Sequence, residues 1–268
     1  MISLNRSEKE KTRIFTKKII DNTERKAMLE LQNISYNVDD EGVNKEIIKD
    51  VSLTLSDDKF FVITGPNGGG KSSLAKIIAG IYKPSSGKII YNGTDITDMS
   101  ITDRAKAGIS FAFQQPVRFK GLTVKDLLTL AAGEELKASA CDYLSEVGLC
   151  AHDYLNREIN ASLSGGELKR IEIAITIARG SKLTIFDEPE AGIDLWSFSN
   201  LINVFEGLKK KTNGSIIIIS HQERIINIAD ELILIANGEV VKHGTKEEVM
   251  PLFTGESFKC DKLRNFRE

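Results

Sequence analysis

The sequence has few cysteines and no long apolar run, and each shortage excludes a class of protein. Its three cysteines, Cys141, Cys150 and Cys260, are odd in number and widely spaced, which excludes a disulfide framework or a four-cysteine zinc site. We expect them to be reduced thiols with a packing role. The longest apolar stretches, residues 232–236 and 216–219, are far shorter than the roughly 18 residues that a membrane-spanning helix needs.

The sequence also lacks a large excess of charge of either sign. Lys and Arg number 36, Asp and Glu number 38, and the formal net charge of the 268 residues is −2. Nucleic-acid-binding domains are usually strongly basic, and acidic disordered proteins carry a large negative charge, so the balance argues against both. The first residues are charged where a secretory signal would need an apolar region. We therefore expect a soluble, cytoplasmic protein with no nucleic-acid partner.

The first 27 residues differ in charge from the rest of the chain. They hold eight positive and four negative side chains, which gives them +4 and leaves −6 for the remainder. From Met28 onward the run MLELQNISYNV alternates in the way that a half-buried strand does. We interpret residues 1–27 as a poorly ordered N-terminal extension and residues 28–268 as the folded domain. The alternative is that the extension is a basic docking arm.

The folded part alternates predicted strands with predicted helices. A short buried strand, FFVIT at residues 60–64, is followed by a glycine-rich loop and a helical pattern, and two further buried strands, LTIFD and SIIIIS, come later. Between them, from about residue 115 to 161, the chain is helical in character and forms a separate lobe. Such alternation predicts an α/β fold whose parallel sheet is covered on both faces. Asn237 and Gly238 predict a hairpin turn near the end.

The most specific motif is the glycine-rich loop between the strand FFVIT and its helix. It fits the pattern G-x-x-x-x-G-K-[ST], and the strand–loop–helix context is that of a phosphate-binding loop. Glycines let backbone N–H groups converge on phosphate oxygens, and the positive end of the helix dipole points at the same anion. We expect Lys71 to reach the β- and γ-phosphates and Ser72 to ligate Mg²⁺. The predicted nucleotide-binding residues of this loop are Gly65, Pro66, Asn67, Gly68, Gly69, Gly70, Lys71, Ser72 and Ser73.

A second motif, LSGGE at residues 163–167, opens another predicted helix. Its serine, Ser164, is of the type that caps a helix N-terminus. The segment closely resembles the LSGGQ signature of ABC-type ATPases, and the resemblance extends from about Leu29 to Val249. It implies a P-loop NTPase fold of the ABC type. Such a nucleotide-binding domain has a RecA-like mixed sheet core, an antiparallel β subdomain and a helical signature lobe.

The same resemblance implies the catalytic residues and the cofactors, ATP and Mg²⁺. Asp187, at the end of the strand LTIFD, would organise Mg²⁺, and the next residue, Glu188, would polarise the attacking water. Gln114 matches the Q-loop residue that touches the metal and couples the helical lobe to the nucleotide. His221 matches the switch histidine that contacts the γ-phosphate. The implied catalytic residues are Glu188, His221 and Lys71, and the implied metal ligands are Ser72, Gln114 and Asp187.

The resemblance also implies a second copy of the chain as a partner. In this family the signature faces the phosphate-binding loop of the other subunit, so that two ATP molecules are sandwiched between two copies. ATP binding would close this homodimer and hydrolysis would release it. The residues acting in trans would be Ser164, Gly165, Gly166 and Glu167. Asp194 matches the D-loop residue, and Tyr36 matches the aromatic residue that stacks on adenine.

Smaller sequence features distinguish SufC-type ATPases from transporter ATPases. The pattern SGGE-x-KR-x-E-I after the signature and the segment FAFQQPV around Gln114 resemble SufC, the ATPase of the Suf iron–sulfur cluster assembly machinery. Pro189 is typical of transporter ATPases instead, and Glu190 and Trp196 depart from the SufC pattern. The SufC resemblance implies a SufB/SufD-like scaffold docked near the Q-loop and the helical lobe. The alternatives are a membrane permease on a separate chain, and an ATP-dependent interaction protein with little hydrolysis.

Overall fold

The computed structural model describes residues 27–40, 42–133, 140–160, 162–193, 195–211 and 214–252. Residues 1–26 of the predicted extension and Cys260 lie outside these ranges. Cys141 and Cys150 are exposed, so the packing role expected for them is wrong; each lies on the surface of the helical lobe rather than in a core.

Strands and helices alternate along the described chain. The strands are β1 (Ala27–Asp40), β2 (Val43–Ser56), β3 (Phe60–Thr64), β4 (Ser86–Tyr91), β5 (Thr94–Asp95), β6 (Ile109–Ala112), β7 (Leu183–Asp187), β8 (Ser215–Ile219), β9 (Glu231–Ala236) and β10 (Glu239–Gly244). The α-helices are α1 (Lys71–Ala79), α2 (Ile101–Lys106), α3 (Val124–Ala132), α4 (Ala140–Glu146), α5 (Ala151–Tyr154), α6 (Gly165–Ala178), α7 (Leu195–Lys211), α8 (Glu223–Ile228) and α9 (Lys246–Val249). A 3₁₀ turn, Met250–Leu252, follows α9.

None of the helices in the described ranges combines the length and the apolar content that crossing a bilayer requires. The cytoplasmic location and the lack of a nucleic-acid partner stay predictions.

The central sheet is mixed, as expected. Its strand order is β10-β9-β3-β8-β7-β6, with β9, β3, β8, β7 and β6 running parallel and β10 antiparallel to β9. Every residue of β3, β7 and β8 is buried, which is typical of parallel strands covered on both faces. The β9–β10 hairpin turns at Asn237 and Gly238, whose φ angles of 54° and 82° are those of the predicted tight turn.

The two faces of this sheet are covered differently. Side chains alternate along β3, so that Phe60 and Val62 point to one core, and Phe61 and Ile63 to another. The first core is filled by helices α3, α4, α6 and α7. The second is filled by α1 and by a separate antiparallel sheet of order β2-β1-β4-β5, the expected antiparallel subdomain.

The helical lobe lies inside the predicted range of 115–161. Helices α3, α4 and α5 pack on α6, with Val124, Leu128 and Leu144 buried against Leu168 and Ile171. Helix α3 begins at a capping box, in which the Thr123 side chain and the third helical residue each bond the other's backbone. The lobe and the signature helix α6 therefore form one packed unit.

Arg104, a fully buried residue of α2, closes the end of α1. Its Nη1 donates to the carbonyls of Ile77 (2.7 Å) and Ile78 (2.9 Å), and its Nη2 donates to the carbonyl of Thr97 (2.9 Å). Carbonyls in the last turn of a helix have no partner within the helix, and a cation there is favoured by the helix dipole. Burial lowers the pKa of Arg104, with the charge of Asp98 acting in the opposite direction. Arg104 therefore holds the helix that follows the phosphate-binding loop.

We predict that Arg104→Met will lower the free energy of unfolding by about 2–4 kcal/mol, because it removes the three hydrogen bonds that the buried guanidinium donates to backbone carbonyls. Urea unfolding followed by circular dichroism measures the change. Lys106→Met is the matched control, since Lys106 is exposed on the same helix and its replacement should change stability by less than about 0.5 kcal/mol. Equal losses in the two variants would contradict a specific role for the buried guanidinium.

Candidate functional site

Several of the predicted site residues lie at one edge of the central sheet. Since β3, β7 and β8 run parallel, the phosphate loop (residues 65–72), Asp187 and His221 all follow the same ends of their strands. Glu188 is attached to this edge by its backbone N–H, which donates to the carbonyl of Ile219 (3.1 Å). The carboxyl edge of a parallel sheet is where such folds place their ligands.

The phosphate loop has no room for side chains at two of its glycines. Gly65 has φ 137°, and a Cβ there would lie 1.9 Å from the carbonyl oxygen of Ile235. Gly70 has φ 99°, and a Cβ there would lie 2.8 Å from Cδ1 of Ile48. Among the described residues no side chain caps the start of α1, and its first turn holds no acidic residue. The free N–H groups of this turn fit an anion such as a phosphate.

Lys71 is the cation of this cradle. Its side chain is buried, and Nζ donates to the carbonyls of Gly65 (2.9 Å) and Pro66 (2.8 Å). Burial lowers the pKa of Lys71, while the negative charges of Glu188 and Asp187 act in the opposite direction. Burial removes water from around this ammonium group, and a bound phosphate would stabilise its positive charge instead.

Ser72 and Asp187 form the pair that fits a metal. Ser72 Oγ donates to Asp187 Oδ1 (2.8 Å), and burial raises the pKa of Asp187 against the effect of that hydrogen bond. No group of three or more His, Cys, Asp or Glu side chains in the described part of the chain could hold a metal ion. Mg²⁺ is usually held by one or two protein oxygens together with the phosphates of its substrate, so this oxygen pair fits Mg²⁺.

Gln114 contacts the second carboxylate, Glu188. Gln114 Nε2 donates to Glu188 Oε2 (2.6 Å), so its position as a metal ligand stays a prediction. Glu188 has φ 45°, a left-handed backbone conformation that costs energy in any residue other than glycine. Such strain persists where the surrounding structure enforces it. Here the bonds to Gln114 and to the β8 backbone hold the Glu188 carboxylate at the edge of the site.

Glu190 is a residue of the site that the sequence does not identify as functional. In the sequence it stands out only as a departure from the SufC pattern. Ser220 Oγ donates to Glu190 Oε1, while Oε2 is buried and has no hydrogen-bond partner within the described ranges. Burial raises the pKa of Glu190; the nearby charge of His221 opposes the rise and that of Glu188 adds to it. A third carboxylate directly after Asp187-Glu188-Pro189 was the signal that could have revealed it.

The signature motif forms a capped helix start with an exposed surface. Ser164 Oγ accepts from the N–H of Glu167 (3.2 Å), and Glu167 Oε2 accepts from the N–H of Ser164 (2.7 Å). Bonds from the Tyr154 hydroxyl and from Ser164 lower the pKa of Glu167 to about 2. Glu167 is thus engaged in its own helix cap, while Ser164 and Gly165 are exposed. Glu167, Gly166 and their neighbours stay predicted residues of the trans site.

Lys169 is only 1% exposed, and it connects the signature helix to the Q-loop. Its Nζ donates to the carbonyls of Phe113 and Gln114 and pairs with Glu172 Oε2 (2.9 Å). Glu172 Oε1 in turn accepts from the N–H of Phe113 (3.1 Å). These two residues belong to the SufC-like pattern, and they connect the helical lobe to the residue that contacts Glu188.

Tyr36 lies on the antiparallel sheet rather than at the carboxyl edge of the central sheet. Tyr36 is half-buried on β1, and its ring stacks on that of Tyr82. Asp194 lies outside the described residues; Gly192, two residues before it, has its carbonyl oxygen 3.8 Å from a Cβ placed on Gly165. The loop before Asp194 is therefore close to the signature of the same chain.

Comparison with known proteins gives consistent matches. The family profile described as ABC transporter matches residues 48–191. An uncharacterized ABC transporter ATP-binding protein of Methanocaldococcus jannaschii is 43% identical over 228 residues, 82% of this chain and 91% of the relative. The probable ATP-dependent transporter ycf16 of Cyanophora paradoxa is 33% identical over 244 residues, 84% and 91% of the two chains. The dimeric structure of MJ0796, a bacterial ABC transporter cassette, aligns with a TM-score of 0.74 at 23% identity, covering 82% and 99% of the two chains.

We predict that Lys169→Met will lower the free energy of unfolding by about 3 kcal/mol, because it leaves Glu172 buried without its cation. Amide hydrogen exchange at Phe113 and Gln114 should become faster, since their carbonyl anchor is gone. In the double variant Lys169→Met/Glu172→Met most of the stability should return, because no unpaired charge remains.

Lys125→Met is the control for this pair of variants. Lys125 is exposed on α3, so the same substitution there removes a charge from the lobe without touching the Q-loop. If the double variant were as unstable as Lys169→Met, the buried ion pair would not be the cause of the loss.

Proposed function

Since this chain belongs to the ABC transporter family of ATP-binding domains, we propose that it drives a conformational change in a separate partner protein, an iron–sulfur cluster scaffold of the SufB/SufD kind. The chain binds ATP with Mg²⁺ and hydrolyses ATP to ADP and phosphate. The identity of the partner is the proposal.

The chain's own residues divide the work of hydrolysis between them. The N–H groups of the phosphate loop and the ammonium group of Lys71 hold the phosphates. Ser72 and Asp187 would hold Mg²⁺, which neutralises charge on the phosphate oxygens when it is bound. Glu188, oriented by Gln114, is placed to accept a proton from the attacking water.

A second copy of the chain is required to complete this site. Ser164 and Gly165 are exposed at the start of α6, a helix of 14 residues whose N-terminal N–H groups favour an anion. The Ser164 N–H is bonded to Glu167, so the exposed Ser164 hydroxyl and the exposed Gly165 are the groups that would face a nucleotide held by another subunit. ATP bound between two copies would favour the closed pair, and hydrolysis would remove that preference.

We predict that Glu188→Gln will lower the rate of phosphate release by about 100-fold or more, because the carboxylate that accepts the proton is lost. The same variant should elute as a dimer on gel filtration with ATP and Mg²⁺. Ser164→Arg should bind ATP as a monomer with an affinity within about threefold of the parent chain, yet fail to hydrolyse it, because the signature acts on the partner's nucleotide.

Ser145→Arg is the charge-matched control for the signature variant, because Ser145 is exposed on α4 of the same lobe. If no Glu188-dependent hydrolysis were measured with the partner present, the chain would be an ATP-dependent interaction protein with little hydrolysis. A Ser164→Arg monomer that cannot bind ATP would contradict action in trans.

An apolar groove between β6, α3 and α6 supports the proposal of a protein partner. It has a volume of about 480 Å³ and is lined mainly by aromatic and aliphatic side chains, with Glu172 in its wall. Four of its large apolar side chains are exposed, which is typical of a surface that binds another protein. These side chains are Phe113 (37% exposed), Val117 (47%), Phe119 (42%) and Leu130 (72%).

The contacts beneath this groove supply a route from the partner to the chemistry. Glu172 lines the groove and bonds the backbone of Phe113, and the next residue, Gln114, contacts Glu188. A partner seated in the groove would shift the Phe113 backbone and with it the position of Gln114. This connection, made by Lys169 and Glu172 of the SufC-like pattern, is the observation that carries the SufB/SufD proposal.

A permease on a separate chain is the second candidate. Pro189, typical of transporter ATPases, is buried directly after Glu188. The names of the two relatives, an ABC transporter ATP-binding protein and an ATP-dependent transporter, also favour it. The same groove would serve a permease, so the partner itself has to be identified.

Affinity capture from the native cell, followed by mass spectrometry, decides between the two candidates. We expect the parent chain to retain a SufB- or SufD-like protein, and Phe119→Glu/Leu130→Glu to lose it because charges would be buried in the groove. Val43→Glu is the control, since Val43 is 68% exposed on β2, away from the groove. Recovery of a multi-span membrane protein that is lost in the same groove variant would establish the permease instead.

A further inference from the structure

Two tyrosines are stacked beside the phosphate-binding helix. The rings of Tyr36 on β1 and Tyr82 after α1 are nearly parallel, with centroids 5.2 Å apart and an interplanar angle of 9°. Both side chains are half-buried against the core that α1 shares with the antiparallel sheet. Aromatic pairs in this arrangement attract each other beyond the burial of their surface, so each ring restricts the orientation of the other.

The position of Tyr82 is set by α1. The helix ends at Gly80, whose φ of 80° turns the chain back, and the N–H groups of Ile81 and Tyr82 both donate to the carbonyl of Lys76 (2.9 and 3.2 Å). The Lys76 Nζ lies over the Tyr82 ring, 5.4 Å from its centroid, at the distance of a cation–π contact. Backbone and ring of Tyr82 are therefore both attached to the helix whose first residues hold the phosphates.

The position of Tyr36 is set by the chain that follows Tyr82. The N–H of Ser85 donates to the carbonyl of Ser35 (2.8 Å), and the N–H of Asn37 donates to Ser85 Oγ (2.9 Å). One serine thus bonds the residues on both sides of Tyr36.

The opposite strand connects Tyr36 to the phosphate loop. Tyr36 pairs in register with Ile48 on β2, and the Ile48 side chain closes against Gly70 at the end of the loop. Tyr36 is therefore connected to the phosphate loop through Ile48, and its ring is stacked on that of Tyr82.

We propose that Tyr82 is a second aromatic residue of the base subsite, which backs the Tyr36 ring so that the nucleobase stacks on the face of Tyr36 that Tyr82 leaves open. The proposal rests on the proposed role of Tyr36 in stacking on adenine. Tyr82 is a positioning residue: it orients Tyr36 in advance and lowers the entropy that is lost when the base binds. Since Tyr82 is anchored to α1, it also couples the base platform to the phosphate loop.

Calorimetric titration with ATP and with inorganic tripolyphosphate, both with Mg²⁺, tests this role. We expect Tyr82→Ala and Tyr82→Leu to weaken ATP binding about three- to tenfold, because the backing ring is lost. Tripolyphosphate, which has no base, should bind these variants as it binds the parent chain. Tyr82→Phe keeps the ring and should restore ATP affinity, whereas Ile81→Ala, which removes side-chain packing at the neighbouring position, should leave it unchanged.

Other outcomes would overturn either the proposal or its premise. Unchanged or tighter ATP binding by both Tyr82→Ala and Tyr82→Leu would overturn the proposal, because Tyr82 would then be idle or would cover the face that the base needs. Equal weakening of tripolyphosphate binding would also overturn it, since the loss would lie in the phosphate loop. A failure of the premise is separate: it appears as parent-level ATP binding by Tyr36→Ala, or as a parent chain that binds no ATP.

Discussion

The hydrogen bond between Ser72 and Asp187 is the contact on which the rest of the site depends. It joins the first turn of α1 to the end of β7, two strands away from β3, across the intervening β8. The bond can form only because the three strands are parallel and end at one edge. The loop that precedes Ser72 and the carboxylate that follows Asp187 are thereby placed on either side of the same small space. Arg104 bonds the carbonyls at the other end of α1 and so connects that end to α2.

A second set of contacts connects that space to the surface. The buried Lys169–Glu172 pair fixes the backbone around Phe113, and the neighbouring Gln114 reaches Glu188. A buried ion pair contributes little net stability compared with apolar packing, so its value here lies in the geometry that it specifies. The strained backbone of Glu188 fits the same interpretation. We propose that this connection between Glu188 and the apolar groove couples ATP hydrolysis to a partner protein.

The arrangement also explains why much of the site is exposed. Ser164 and Gly165 present the start of a capped helix to solvent, and the apolar groove lies beside Gln114. We propose that the first is completed by a second copy of the chain; the MJ0796 cassette, which has the same fold, is dimeric. The groove accounts for the partner that we propose.

Local features of the site could be predicted from the sequence, because they depend on neighbouring residues. The strand FFVIT, the glycines that leave space for a phosphate, Lys71, Ser72, the cap residue Ser164 and the turn at Asn237 belong to this class. Side-chain volume, φ preference and periodicity encode such features within a few residues, so they need no knowledge of the strand order.

Contacts between distant segments were decided only by the tertiary structure. The further hydrogen bond that Glu167 accepts from the Tyr154 hydroxyl depends on the approach of α5 to the start of α6. The contact between Gln114 and Glu188 depends on the order of β6, β7 and β8, and the hydrogen bond between Ser220 and Glu190 depends on the neighbouring ends of β7 and β8. Tyr82 meets Tyr36 because Ser85, in the chain that follows α1, is bonded to Ser35 on β1. The sequence by itself determined which groups could hold ATP, and the packing of the strands and helices decided which side chains would position them.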